Sequence, residues 1–303
     1  MDGAEQIGGT ELRKRAATRD RQTSRLGDRQ AGGVRRVGFT LIELLVVIAI
    51  IALLMSILMP ALSRVKQQAK SVACLGQIKQ WGLFFSMYAE DYDGRFMQGF
   101  TAQPQANRWV KAMGRYHNWQ QDMFCCPNAS KPWTDEFGNT TGLEGTFLGS
   151  TSAWGYMNPN NWERSMKGSY GINGYCIDAQ SGREPHGRPA EDFWRGPAVN
   201  QASYVPLFLG ALRYNGWPQA TSPPPDFDGQ QWNDAGHMGR YCMDRHDGFN
   251  NCLLLDYSAR KVGLKELWTL KWHKSYNTAG PWTKAGGAVA SDWPDWLRSL
   301  KDY

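Results

Sequence analysis

The chain has 303 residues, with 34 Lys and Arg against 28 Asp and Glu and a formal net charge of +6. The excess is uneven: residues 1–38 hold nine basic and five acidic side chains, while the remainder is close to balance at 25 against 23. The remainder is long enough for one sizeable core, and its near-neutrality gives no support to nucleic-acid binding.

Residues 1–38 read as a basic leader ending in Arg35 and Arg36. The positive-inside rule places such a leader in the cytoplasm and sends the downstream chain across the membrane. The next stretch, Gly38 to Pro60, reads Gly-Phe-Thr-Leu-Ile-Glu and then an unbroken apolar run. Glu43 is its one charge, and Leu44 to Ser63 carry none. At about 1.5 Å per residue, some 20 uncharged residues cross a bilayer's hydrocarbon core. A carboxylate in such a segment costs roughly 2.5–3.5 kcal/mol on insertion scales, so Glu43 is a functional candidate.

A small residue, then Phe, then Glu at the fifth position before an apolar stretch resembles the N-terminal signal of type IV pilins and type II secretion pseudopilins. The resemblance implies cleavage by a prepilin peptidase between Gly38 and Phe39, with N-methylation of Phe39 by the same enzyme. It implies that Glu43 neutralises the Phe39 amine of a neighbouring subunit. Pro60, residue twenty-two of the mature chain, matches the helix-kinking proline common in such pilins. The partners implied are the peptidase, other pilin or pseudopilin subunits, an inner-membrane assembly platform and the membrane itself. The chain would then be a peptidase substrate and not an enzyme, a single-pass inner-membrane protein with its head exported to the periplasm or a surface filament.

The helix should continue past Pro60. Val65, Val72, Leu75, Ile78, Trp81, Phe85 and Tyr88 recur at helical intervals. One helix from Phe39 to Asp91 would be roughly 80 Å long. Gly94 reads as the reversal after it. Asp91-Tyr92-Asp93-Gly94 also begins like a calcium loop, but no Glu follows at the twelfth position. Beyond Phe96 the chain is rich in Gly, Pro, Asn, Trp and Tyr. Turn signals include Gly171-Ile172-Asn173-Gly174. Strand candidates are Tyr204–Leu209 and Asn251–Tyr257, with Gly236–Arg245 a further extended segment. Long loops are expected at 181–201 and 214–240.

The six cysteines, Cys74, Cys125, Cys126, Cys176, Cys242 and Cys252, permit disulfides in an exported chain, and spacing alone leaves their connectivity open. Resemblance to related chains, which carry a Cys on the helix and a later Cys-Pro, implies that Cys74 pairs with Cys125 or Cys126, with Cys126 preferred. Arg245-His246 and Asp256 resemble an Arg-His, nine residues, Asp-Gly element of a pilin-like family from planctomycete-type bacteria, with Tyr257 standing where that family has Gly. The resemblance implies a His246–Asp256 pair, read as a structural hydrogen bond tying a hairpin. His237, Cys242 and His246 make a His-x4-Cys-x3-His pattern without a fourth ligand, so no metal and no cofactor are expected.

Fourteen tryptophans are the remaining anomaly. Trp268 and Trp272, and Trp293 and Trp296, have helix-like spacings that point to core packing. A glycan-binding surface is the alternative reading of the same rings. The expected fold is α+β: a long N-terminal helix packed on a small antiparallel sheet with long loops. The expected organisation is a cleaved leader (1–38), a transmembrane or filament-core helix (39–62), its soluble half (63–93) and a globular head (94–303). The expected function is a structural subunit of a type II secretion pseudopilus or type IV pilus-like filament, the alternative a displayed adhesive module.

Overall fold

A computed structural model describes residues 39–99, 109–118, 120–132, 149–155, 167–179, 181–182, 187–230 and 236–303. The leader and Gly38 lie outside the described residues. The chain divides into two compact units, residues 1–54 and 55–303. In the first, every described side chain is exposed, and Phe39 and Leu41 are bare apolar surface. Helix α1 spans Leu41–Asp91 and runs through Pro60, which has no N–H to give to the preceding turn. Among the described residues it is the one helix long and apolar enough to cross a membrane.

In the second unit the buried side of α1 is Ser71, Cys74, Ile78, Trp81, Phe85 and Tyr88. Their spacing of three and four residues makes one stripe. Val65 and Val72 are exposed, contrary to the expected stripe. Val65 precedes the first buried position, and Val72 is rotated about 100° from Ser71. The helix ends at Asp91, and the Ala89 carbonyl in its last turn accepts from Gly94 N at 2.7 Å. Asp93 (φ 53°) and Gly94 (φ 75°) are both left-handed there, a Schellman-like stop in which Asp93 takes the place usually filled by Gly.

Strands β1 (Lys131–Pro132), β2 (Ser152–Gly155) and β3 (Lys167–Gly168) form a small sheet. Strands β4 (Tyr170–Asn173), β5 (Pro206–Gly210), β6 (Asn215–Gly216), β7 (Phe249–Leu254) and β8 (Ala259–Gly263) form the main sheet, in the order β6-β4-β5-β7-β8. It is antiparallel except for the parallel β4–β6 pairing. Both faces are covered. Leu253 and Leu255 join the core under α1, while Cys252 and Leu254 join a second core with Leu267, Trp268, Trp272 and Trp293. Burial on both faces explains why residues 252–255 are continuously apolar and do not alternate with polar residues.

Two expectations are corrected. Gly171-Ile172-Asn173-Gly174 is largely strand β4, not a turn. Its glycines are there for close approach: a Cβ on Gly171 would sit 2.4 Å from the Arg213 carbonyl, and one on Gly174 would sit 2.3 Å from the Trp217 ring. Gly236–Arg245 contains the 3-10 turn Met238–Arg240, not an extended strand. Its backbone closes on itself, with Tyr241 N and Cys242 N both donating to Met238 O.

His117 is buried against the rings of Trp81 (5.1 Å) and Phe124 (4.7 Å). Burial holds its pKa down to about 4, so the native state refuses a proton that the unfolded chain accepts near pH 6.5. This component of stability is complete above pH 6.5. It falls by roughly 2–3 kcal/mol as pH drops towards 4, then levels off. Urea unfolding across that range should show the loss, and His117→Phe should flatten it. An unchanged slope in the variant would rule His117 out as its source.

Candidate functional site

At the start of α1, Thr40 is the N-cap and Glu43 the third helical residue. Glu43 N donates to Thr40 Oγ1 at 3.2 Å, and Thr40 N donates to Glu43 Oε2 at 2.8 Å. Thr40 Oγ1–H also donates to Oε2 at 2.8 Å. This reciprocal pair is a capping box, which satisfies two backbone donors that a helix start leaves without helical partners. Glu43 is thus held against Thr40, the residue that follows Phe39 of the expected new N-terminus. Thr40→Ala should cost this helix start about 1 kcal/mol, read as faster amide exchange confined to residues 40–44; exchange unchanged there would show that the box contributes nothing.

The head gathers a second set of chemistry-bearing groups. Cys74 on α1, Cys126 in the turn after the 3-10 helix Gln121–Phe124, and His246 in the loop before β7 place their ligand atoms within 4.8 Å of one another. All three are buried, and both cysteines are free thiols. His246 Nε2 lies 3.4 Å from Cys126 Sγ. Asn128 N donates to the same sulfur at 3.4 Å, and Tyr170 Oη lies 3.2 Å from Cys74 Sγ. Cys126 is pulled below the usual thiol range, first by the Cys74 thiol donating to it and then by His246, and Cys74 is pushed up chiefly by burial. Among the described residues, these three side chains form a group that could hold a soft metal ion.

Arg245, buried one residue before His246, donates to the carbonyls of Ser150, Ser152, Ser169 and Ala211. Its segment is tied to the Cys126 turn by Asn128 Nδ2 donating to Arg245 O at 2.7 Å. Buried asparagines add further ties: Asn251 Nδ2 donates to Ser71 O at 3.0 Å, and Asn250 bonds both the N–H and the carbonyl of Gly210. No sequence pattern marks these amides, because a buried Asn bonding backbone across elements has no local spacing.

The His246–Asp256 pair does not form. The residues lie at opposite ends of β7, whose six residues span about 20 Å. Asp256 is exposed and accepts from Ser258 N and Oγ. The hairpin turn is nevertheless made, with Tyr257 itself left-handed at φ 64° where the resembling family has Gly. His237, Cys242 and His246 are likewise kept apart in role: His237 Nδ1 accepts from Trp217 N, and Cys242 lies in the second core. Cys125 Sγ turns to the Lys167 carbonyl. Among the described tryptophans none is exposed. Trp293 is buried, and half-buried Trp296 donates to Pro225 O.

The fold is α+β and pilin-like, with an apolar N-terminal helix that fits a single-pass membrane-anchored protein. Residues 38–59 match the model of the prokaryotic N-terminal methylation motif, which supports a likeness of this segment to type IV pilins and pseudopilins. The His246-to-Asp256 element lies outside that match. No curated protein and no solved structure matches the chain.

Proposed function

We propose that this chain is a structural subunit, cut by prepilin peptidase between Gly38 and Phe39, N-methylated at Phe39, and packed through its N-terminal helix into a type II secretion pseudopilus or type IV pilus-like filament. The observation that carries this reading is the methylation-motif match over an exposed apolar segment, residues 39–63, whose one charge is Glu43. Residues 1–38 are the cytoplasmic leader, 39–62 the membrane or filament-core segment, 63–93 its soluble continuation and 94–303 the exported head. In the membrane Glu43 is costly. Beside a neighbour's Phe39 ammonium it is neutralised, so the same charge pair that relieves the cost also sets the register between subunits. Apolar helices packing laterally, head to tail, then give an open helical assembly.

The adhesive alternative draws no support from the described tryptophans, which are buried or half-buried. The test is the intact mass of the N-terminal fragment from native membranes, with a Glu43→Ala strain beside it. A chain beginning at N-methyl-Phe39, with the variant still cut but at least tenfold depleted from sheared filaments, is the expected result. A retained leader would reduce the segment to a plain membrane anchor and end the proposal.

A further inference from the structure

We propose that Cys74, Cys126 and His246 bind one soft, thiophilic cation, Zn2+ or Cu+, which locks α1 to the head. With metal–sulfur bonds of about 2.3 Å and metal–nitrogen bonds of about 2.0–2.1 Å, a tetrahedral ion sets its ligands about 3.5–3.8 Å apart. The His246 Nε2 to Cys126 Sγ distance of 3.4 Å meets that requirement, and Cys74 Sγ completes a set confined within 4.8 Å. Two thiolates and an imidazole are the donor class that selects soft ions over Mg2+ or Ca2+.

The site is built in advance of any ion. Its three donors come from α1, from the Cys126-Pro127-Asn128 turn and from the loop before β7. Each support is separately fixed. Cys126 N donates to Ser169 Oγ at 2.5 Å, Asn128 Nδ2 donates to Arg245 O, and Asn251 Nδ2 donates to the Ser71 carbonyl one turn before Cys74. The Asn128 N–H on Cys126 Sγ and the Tyr170 hydroxyl beside Cys74 Sγ hydrogen-bond to sulfurs that would carry negative charge once a metal is bound. The buried Arg245 guanidinium, which has carbonyls as its hydrogen-bond partners, favours thiolates at the same place. Metal binding needs both sulfurs as thiolates and the imidazole neutral, so any protons these groups still hold pass to solvent. A disulfide between the cysteines would instead engage the sulfurs with each other and leave His246 without a role. Three buried donors suit trigonal Cu+, whereas Zn2+ would take one further ligand.

The test uses the full chain, extracted in detergent from its native membranes without added metal. Elemental analysis should find about one equivalent of zinc or copper per chain, and which metal appears decides between them. After chelation, Co2+ added to the reduced protein should give thiolate-to-cobalt charge-transfer absorption, and its binding should raise the melting temperature. Cys126→Ser and His246→Ala should each lower the bound metal at least tenfold, while Cys252→Ser, whose thiol lies in the other core, should retain it. Less than a tenth of an equivalent in the wild-type chain, together with no uptake of Co2+ or Cu+ after reduction, would overturn the proposal. So would a Cys74–Cys126 disulfide found by non-reducing peptide mapping, or equal metal loss in Cys252→Ser. Wild-type protein alone decides the matter if a variant fails to fold. Filament assembly is read separately, through Glu43→Ala, so either proposal can fail without the other.

Discussion

Trp81→Ala should remove about 4–5 kcal/mol from the stability of the head, most of what a domain of this kind holds in reserve. The ring is fully buried and sits where helix meets sheet. Its centroid lies 5.4 Å from Trp109, 5.2 Å from Phe124 and 5.0 Å from Phe208 on β5. Truncation loses the transfer free energy of the largest side chain and leaves a cavity that rings on three sides are too stiff to fill. It also strands the Met123 carbonyl, to which Trp81 Nε1 donates at 2.7 Å. Trp81→Phe keeps an apolar ring and loses the donor, so it should cost less than half as much. Urea unfolding followed by near-ultraviolet circular dichroism measures both. A cost under 2 kcal/mol for the alanine variant would mean that α1 does not nucleate this core.

Trp81 also shows what is legible in the sequence. Its helix can be read because apolar periodicity is local, and the N-terminal signal because its chemistry is packed into six consecutive residues. The strands are harder. β7 can be placed within two residues at its start because Cys252-Leu253-Leu254-Leu255 is a buried run, but β4 reads as a turn. Gly171 within it and Gly174 just past its end are required by the Arg213 carbonyl and the Trp217 ring, neither of which is near in sequence. β8 leaves no readable pattern because Arg260 and Lys261 lie on the sheet edge and dilute it. The Cys74–Cys126–His246 cluster is half visible. The cysteines can be matched by resemblance to related chains, but a second resemblance assigns His246 to Asp256 along its own strand. Its actual neighbour is 120 residues away, brought there by the packing of α1 and the Cys126 turn.

Arg245→Met should cost about 4 kcal/mol, the second large effect expected outside the N-terminal segment. A buried guanidinium is expensive to desolvate, and burial lowers its pKa while Cys126 opposes the change. What offsets that cost is geometry. One planar fork reaches Ser152 O on β2, Ser169 O next to β4 and Ala211 O just past β5, so a single side chain joins the small sheet to the main one. Methionine matches the volume and removes the charge, but it leaves these buried carbonyls without their donor, at about 1–3 kcal/mol each before water or relaxation recovers part of it. Arg245→Lys tests the same point from the other side. It keeps the charge but has three donors on one atom in place of a fork, so it should recover less than half of the loss. Equal stability of the lysine variant and wild type would show that charge alone holds the two sheets together. Equal stability of the methionine variant would show that the carbonyls find other donors.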